Sequence, residues 1–339
     1  MKLSHSCFEL KLKHTFTIAR GSRDTSSVVI VEIEHDGITG FGEAAPSSRY
    51  GETVESVEVF LAGLDLNRFK DPFQLETILD YVDRIADGNT AAKASVDIAL
   101  HDWIGKRLGM PLHKYWGLDK DKTPVTSFTI GIDKTEVLKQ KVREAEEFPI
   151  LKVKLGGGDD EEIIRAIRTV TQKPLRVDAN EGWKKKEEAL AKIKWLEQMG
   201  VEFVEQPMPA DDLAGTAWVR ERSGLPLIAD ENSLRLHDVP RLQGIFDGIN
   251  IKLMKCAGLR EALRMIHTAR ACGMKVMTGC MIETSIGISA AAQLSPLIDY
   301  ADLDGNLLTL NDPFVGVKAA RGKLMLPDRP GIGVEKRID

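Results

Sequence analysis

Lysines and carboxylates close a series of short apolar runs in this chain. Residues 150–155 carry Lys152-Val-Lys154, and the next four runs finish on Asp178, Glu205, Asp230 and Lys252. One charge at the end of a strand-like run is ordinarily a helix cap or a surface charge. Five consecutive runs closed this way bring their charges to one mouth if the runs are parallel neighbours around a barrel. Asp178, Glu205 and Asp230 would then crowd three carboxylates together, which repel unless a cation sits among them. Oxygen-only ligands favour a hard cation, Mg²⁺ first and Mn²⁺ as the alternative. Asn180, two residues past Asp178, could support that site. Glu231 follows Asp230 as a competing ligand, but its side chain should leave on the other strand face.

Lys152 and Lys154 are two apart on one strand, so both face the same way. Adjacent ammonium groups near a divalent cation depress each other's pKa, which turns a lysine into a general base. Lys252, four strands further round an eight-strand ring, lies on the opposite wall. Such a site can remove a proton from one face of a carbon and return it to the other. Asp302-Leu303-Asp304 closes the last run with two more same-facing carboxylates, suited to a substrate cation such as an ammonium.

The elements that must position these groups follow from periodicity. Runs at 125–130, 150–155, 175–178, 201–205, 227–230, 249–252, 275–278 and 300–302 alternate with amphipathic stretches such as 161–170, 187–199 and 259–272. Eight runs about 25 residues apart suggest a closed (β/α) barrel more than an open sheet, and no dinucleotide fingerprint follows the first run. Residues 1–55 read instead as strands, with Asp36-Gly37 as a tight turn between 27–34 and 38–43, and 52–108 reads as helical. Gly156-Gly-Gly158 reads as a flexible turn, because the acidic residues after it would repel a phosphate.

The chain has 339 residues, 46 basic and 51 acidic, for a net charge of −5. That balance demotes nucleic-acid binding. Cys7, Cys256, Cys272 and Cys280 form no CxxC pair, which fits reduced thiols in the cytoplasm. No stretch reads as a membrane span or a secretory signal.

With these residues assembled, the chain resembles the enolase superfamily, muconate-lactonizing subgroup, and within it the dipeptide epimerases. The resemblance rests on Gly40-Phe-Gly-Glu-Ala-Ala-Pro46, Tyr50-Gly-Glu-Thr53, Lys152-Val-Lys154, Asp178-Ala-Asn180, Glu205-Gln-Pro207, Ala229-Asp-Glu231 and Asn250-Ile-Lys252, with Asp302-Leu-Asp304 as the mark of the epimerases. It implies an α/β fold: a modified TIM barrel, (β/α)7β, with an N-terminal α+β capping domain. The cap would span 1–120 and the barrel 121–305, with 306–339 returning to the cap. It implies a Mg²⁺-dependent enzyme that inverts the α-carbon of a dipeptide's C-terminal residue. Lys154 and Lys252 would be the acid/base pair, acting on the (R) and (S) epimers respectively, and Lys152 would support the enolate. One Mg²⁺ would sit on Asp178, Glu205 and Asp230. Asp302 and Asp304 would hold the α-ammonium, and Thr129 and Cys280 would contact substrate.

In this fold a mobile loop of the cap closes over the mouth; the matching segment is 17–24. Arg20 and Arg23 in it could each form a bidentate pair with a substrate carboxylate, favouring an acidic residue as in L-Ala-D/L-Glu from cell-wall peptide. A homo-oligomer is expected, with neither nucleic acid nor membrane as partner. The rivals are an o-succinylbenzoate synthase or lactonizing enzyme of the same subgroup, with no evident need for Asp302 and Asp304, a non-catalytic metal-binding barrel, and a Schiff-base aldolase with no use for the three carboxylates.

Overall fold

The structure is a computed structural model that describes residues 1–338. The chain opens with three antiparallel strands, β1 (Lys2–Ile18), β2 (Gly21–His35) and β3 (Ile38–Ala44), in the order β1-β2-β3. The β2–β3 turn at Asp36-Gly37 has both residues at positive φ, 48° and 73°, as the sequence expects. Helices α1 (Val54–Ala62), α2 (Leu75–Ile85), α3 (Thr90–Leu108) and the short α4 (Leu112–Tyr115) follow. α3 is buried on all sides from Ala91 to Gly105, because the sheet covers one face and the barrel the other. Gly40 and Gly42 allow that fit: a Cβ on either would lie 2.1 Å from Ala99 O or 1.8 Å from Ser95 O.

Eight parallel strands make the barrel: β4 (Phe128–Ile130), β5 (Leu151–Lys154), β6 (Leu175–Asp178), β7 (Val201–Glu205), β8 (Leu227–Ala229), β9 (Gly248–Ile251), β10 (Lys275–Gly279) and β11 (Tyr300–Asp302). They pair in sequence order, and a bridge between Thr126 and Ala301 joins the first strand region to the last. Every expected run is a strand. Phe203, Ile228 and Met277, with Tyr300 against them, form a small cluster separate from the main core.

Crossover helices are α5 (Thr135–Glu144), α6 (Asp160–Arg168), α7 (Lys186–Gln198), α8 (Leu213–Arg220), α9 (Leu253–Cys256) with α10 (Leu259–Ala271), and α11 (Ser285–Ala292). After β8 the crossover is a 3-10 helix, Leu236–Leu242, which contains Pro240; proline removes a backbone donor and prevents a regular α-helix there. After β11 only a 3-10 turn, Gly305–Leu308, follows.

Short strands β12 (Phe314–Val315) and β15 (Glu335–Lys336) pair with each other, as do β13 (Lys318–Ala320) and β14 (Lys323–Met325). The tail touches the first sheet through the Phe41–Phe314 edge contact and the Lys336–Glu32 ion pair of 2.7 Å. No described helix is long and apolar enough to cross a membrane.

Two local expectations change. The segment 17–24 is not a free loop: Thr17 pairs with Ser22 and Ile18 with Gly21, so it is the tip of the β1–β2 ribbon. Gly156 is not merely flexible. Its φ is 90°, and a Cβ there would lie 2.3 Å from Ala179 O, so it lets the loops after β5 and β6 touch.

Candidate active site

A cavity of about 460 Å³ opens at the C-terminal ends of the barrel strands, under the ribbon tip. Lys154, Asp230, Lys252, Cys280, Asp302 and Asp304 line it from the barrel. Arg20, Arg23, Arg49 and Tyr50 are among those that line it from the first 50 residues, and Thr129 and Asn180 also face it.

Asp178, Glu205 and Asp230 end or follow three adjacent strands, and one oxygen of each lies within 4.8 Å of the others. All three are buried. Lys152 Nζ lies 2.7 Å from Glu205 Oε2 and 3.2 Å from Asp178 Oδ2. The approach to Glu205 is off the hydrogen-bond direction, so Oε2 has a charge partner but no donor. A buried oxygen without a donor, in a set of three carboxylates, fits a hard divalent cation. Glu231 is outside this group, as the strand alternation requires: its Oε1 accepts from Arg20 Nη1 at 2.8 Å.

The lysines are tied to the same acids. Lys154 Nζ donates to Asp178 Oδ2 at 2.6 Å, and Lys252 Nζ to Asp230 Oδ2 at 2.8 Å. Lys152 and Lys154 do face one way, but mutual repulsion does not govern Lys152. Burial opposes its charge, yet Asp302, Glu205 and Asp178 outweigh burial and hold its pKa well above the ordinary lysine value. Lys252 is likewise raised, with Asp230 and Glu205 overriding burial. Burial would raise Asp178 and Asp230, but Lys154 and Lys152 hold the first low, and Lys252 and Lys255 the second. At Lys152 the surrounding acids, not the neighbouring ammonium, set the direction of the shift.

Asp302 and Asp304 face the cavity from the end of β11. Asp302 accepts from Lys152 Nζ and Ser127 Oγ, both at 2.7 Å. Asp304 accepts from Thr129 N at 2.6 Å and Thr129 Oγ1 at 3.2 Å. Burial and the charge of Asp302 push Asp304 up to about 7, while Lys152 holds Asp302 below the usual range against burial. A buried acid pair with one member so raised has a charge imbalance that a cation would relieve. Cys280 Sγ points at Asp302 O, 3.3 Å away, and burial followed by Glu283 raises its thiol well above the usual value.

Arg20 and Arg23 diverge. Arg20 is engaged by Glu231, by Asn180 O at 3.1 Å and by Glu181 Oε2 at 3.4 Å. Arg23 lines the cavity and has no ion pair among the described residues.

Sequence reasoning misses several contributors. Lys255 Nζ donates to Asp230 Oδ1 at 2.5 Å and to Asp230 O at 2.6 Å; its spacing three after Lys252, on a helix, is the signal that could have found it. Asn250 Nδ2 donates to Glu205 Oε1 at 2.7 Å, two residues before Lys252 on the same strand face. Gln206 Oε1 accepts from Asp230 N at 3.0 Å, which knits the ends of β7 and β8 together.

Residues 5–117 match the mandelate racemase / muconate lactonizing enzyme N-terminal domain, and residues 136–339 match the enolase C-terminal domain-like family. The L-Ala-D/L-Glu epimerase of Bacteroides thetaiotaomicron is 56% identical over 337 residues, covering 99% of this chain and 88% of the relative. Among solved structures, a substrate-liganded complex of the L-Ala-D/L-Glu epimerase from Bacillus subtilis superposes with a TM-score of 0.93 at 32% identity, covering 98% of both chains. The dipeptide epimerase of Enterococcus faecalis, complexed with Mg and L-Leu-L-Tyr, gives 0.90 at 36% identity, again over 98% of both chains.

Proposed function

The chain belongs to the enolase superfamily, in its mandelate racemase/muconate lactonizing branch, and on that premise we propose that it is a dipeptide epimerase acting on the α-carbon of the C-terminal residue. The observation that carries this reading is the pair of buried lysines, Lys154 and Lys252. They line one cavity from strands four apart, and each touches a carboxylate of the acidic triad.

Asp178, Glu205 and Asp230 would hold one Mg²⁺, with Mn²⁺ as a substitute. When bound, the ion supplies Lewis-acid stabilisation of the negative charge that builds on the substrate carboxylate. Lys154 takes the α-proton of the (R) epimer and Lys252 that of the (S) epimer, and each returns a proton on its own face. Lys152, buried among the acids, keeps its positive charge and supports the developing enolate. Asp302 and Asp304 receive the dipeptide's ammonium, with Thr129 orienting Asp304 and Cys280 forming the wall beside Asp302. Arg23 meets the side chain of the C-terminal residue and favours a carboxylate there, as in L-Ala-D/L-Glu from cell-wall peptide. The enzyme works in the cytoplasm as a homo-oligomer.

The test is a dipeptide library incubated in D₂O with Mg²⁺ and read by mass spectrometry. One deuterium at the C-terminal α-carbon, with Ala-Glu among the best substrates, supports the reading. Exchange in no dipeptide would refute it.

A further inference from the structure

Two arginines from separate parts of the cap reach the same carboxylate in the barrel. Arg49, in the turn after β3, donates through Nε to Glu181 Oε2 at 2.9 Å and through Nη2 to Glu181 Oε1 at 3.0 Å. Arg20, at the ribbon tip, approaches Glu181 Oε2 at 3.4 Å and also binds Asn180 O and Glu231. Ala210 N donates to Glu181 Oε1 at 3.0 Å from the loop after β7. Glu181 is thus the point at which two cap segments and two barrel loops meet.

The backbone there needs holding. Asn180 and Glu181 have φ of 45° and 65°, a left-handed pair that side chains disfavour. Both lie in the loop that leaves Asp178, where Asn180 N donates to Asp178 Oδ1 at 2.9 Å. Glu181 N donates to Gln206 O at 2.9 Å, so the same turn is tied to the residue after Glu205. Strained backbone persists only where its surroundings over-determine it, and here the two arginines supply part of that constraint.

We propose that Glu181 is a positioning residue: it latches the ribbon tip and the Arg49 turn to the loop that leaves Asp178, so that closure of the cap and the shape of the acidic triad are set together. Glu181 does not line the cavity and touches no reacting atom. Its effect runs through Arg20 and Arg49 on one side and Asn180 on the other.

The experiment is hydrogen–deuterium exchange of the full chain with Glu181→Gln, Arg49→Gln, Arg49→Lys and the double Gln variant, alongside steady-state kinetics. The kinetic arm rests on the dipeptide reading, whereas the exchange arm does not. Glu181→Gln should speed amide exchange at 17–24 and 180–182 by at least about tenfold, while core strands stay protected. KM for the dipeptide should rise more than kcat falls. Arg49→Gln should do the same more weakly, Arg49→Lys should recover part of the loss, and the double variant should be no worse than Glu181→Gln alone. Unchanged exchange at 17–24 in both single variants, or full additivity in the double, would overturn the latch. If no dipeptide is turned over, the exchange result still decides it.

Discussion

Lys252 Nζ lies 2.8 Å from Asp230 Oδ2, and the opposite wall repeats the arrangement with Lys154 on Asp178. Each candidate base is therefore paired with an acid that is also a candidate metal ligand. An acid that shares its charge with a divalent cation holds the ammonium less tightly. The candidate metal ligands and the candidate bases are one electrostatic unit.

Metal removal follows from that unit. Exhaustive chelation should abolish turnover, and Mg²⁺ should restore it. Asp178→Asn should do as chelation does while retaining the far-ultraviolet spectrum. Mg²⁺ should also raise the Tm of the wild type but not of Asp178→Asn, because an ion bound only by the native state stabilises it. Undiminished activity after chelation would remove the metal from the account.

The acid pair on β11 makes a separate prediction. Asp304 is raised to about 7 beside Asp302, so a substrate ammonium would relieve that charge imbalance. N-acetylation of L-Ala-L-Glu removes that ammonium and should lower kcat/KM by about 2–5 kcal/mol of lost pairing. Equal turnover of free and acetylated dipeptides would return the assignment to the subgroup.

The two ribbon-tip arginines should separate in kinetics. Arg23→Ala should lower kcat/KM for L-Ala-L-Glu at least about tenfold, about 1.4 kcal/mol, and leave L-Ala-L-Ala near the wild type. Arg20→Ala should weaken both substrates alike, because Arg20 is spent on Glu231. A wild type that prefers apolar dipeptides, with Arg23→Ala unchanged, would remove the acidic preference and leave the epimerase chemistry standing.

Much of this site is legible in the sequence because a parallel barrel converts strand ends into neighbours. Lys152, Lys154, Asp178, Glu205, Asp230 and Lys252 need only a periodicity of apolar runs to be brought together. The cap–barrel contacts have no such rule. Arg20 and Glu231 are 211 positions apart, and Arg49 and Glu181 are 132 apart. The left-handed backbone at Glu181 carries no glycine to announce it. The upward shift of Lys152 is not legible for a specific reason: strand spacing reveals that two ammonium groups are adjacent, but not that Asp302 comes across the barrel to join Asp178 and Glu205 around Lys152.

A buried acid cluster at the cap–barrel joint should make stability pH-dependent. Glu43 Oε1 accepts from Thr284 N at 2.8 Å and its Oε2 from Gly287 N at 3.0 Å. Glu283 lies beside it, Asp312 caps Ser285, and the cations and thiol facing the cluster are Lys252, Arg337 and Cys280. Burial raises Glu43 to about 7, and burial with Glu43 raises Glu283 to about 8. Groups raised on folding stabilise the native state below their unfolded pKa, and that contribution is lost as pH climbs through the folded values. Tm should therefore fall between about pH 4.5 and 8, and Glu283→Gln should flatten the fall. A flat wild-type profile over that window would contradict the shifted pair.

The account's central claim is that two lysines work on opposite faces of one α-carbon. The measurement that tests it most directly is α-deuterium incorporation from D₂O into separate samples of L-Ala-L-Glu and L-Ala-D-Glu, with Mg²⁺, in Lys154→Ala and Lys252→Ala. The account predicts no epimerisation in either variant. Lys154→Ala should retain exchange only with L-Ala-L-Glu, and Lys252→Ala only with L-Ala-D-Glu. Equal residual exchange of both epimers in either variant would contradict it.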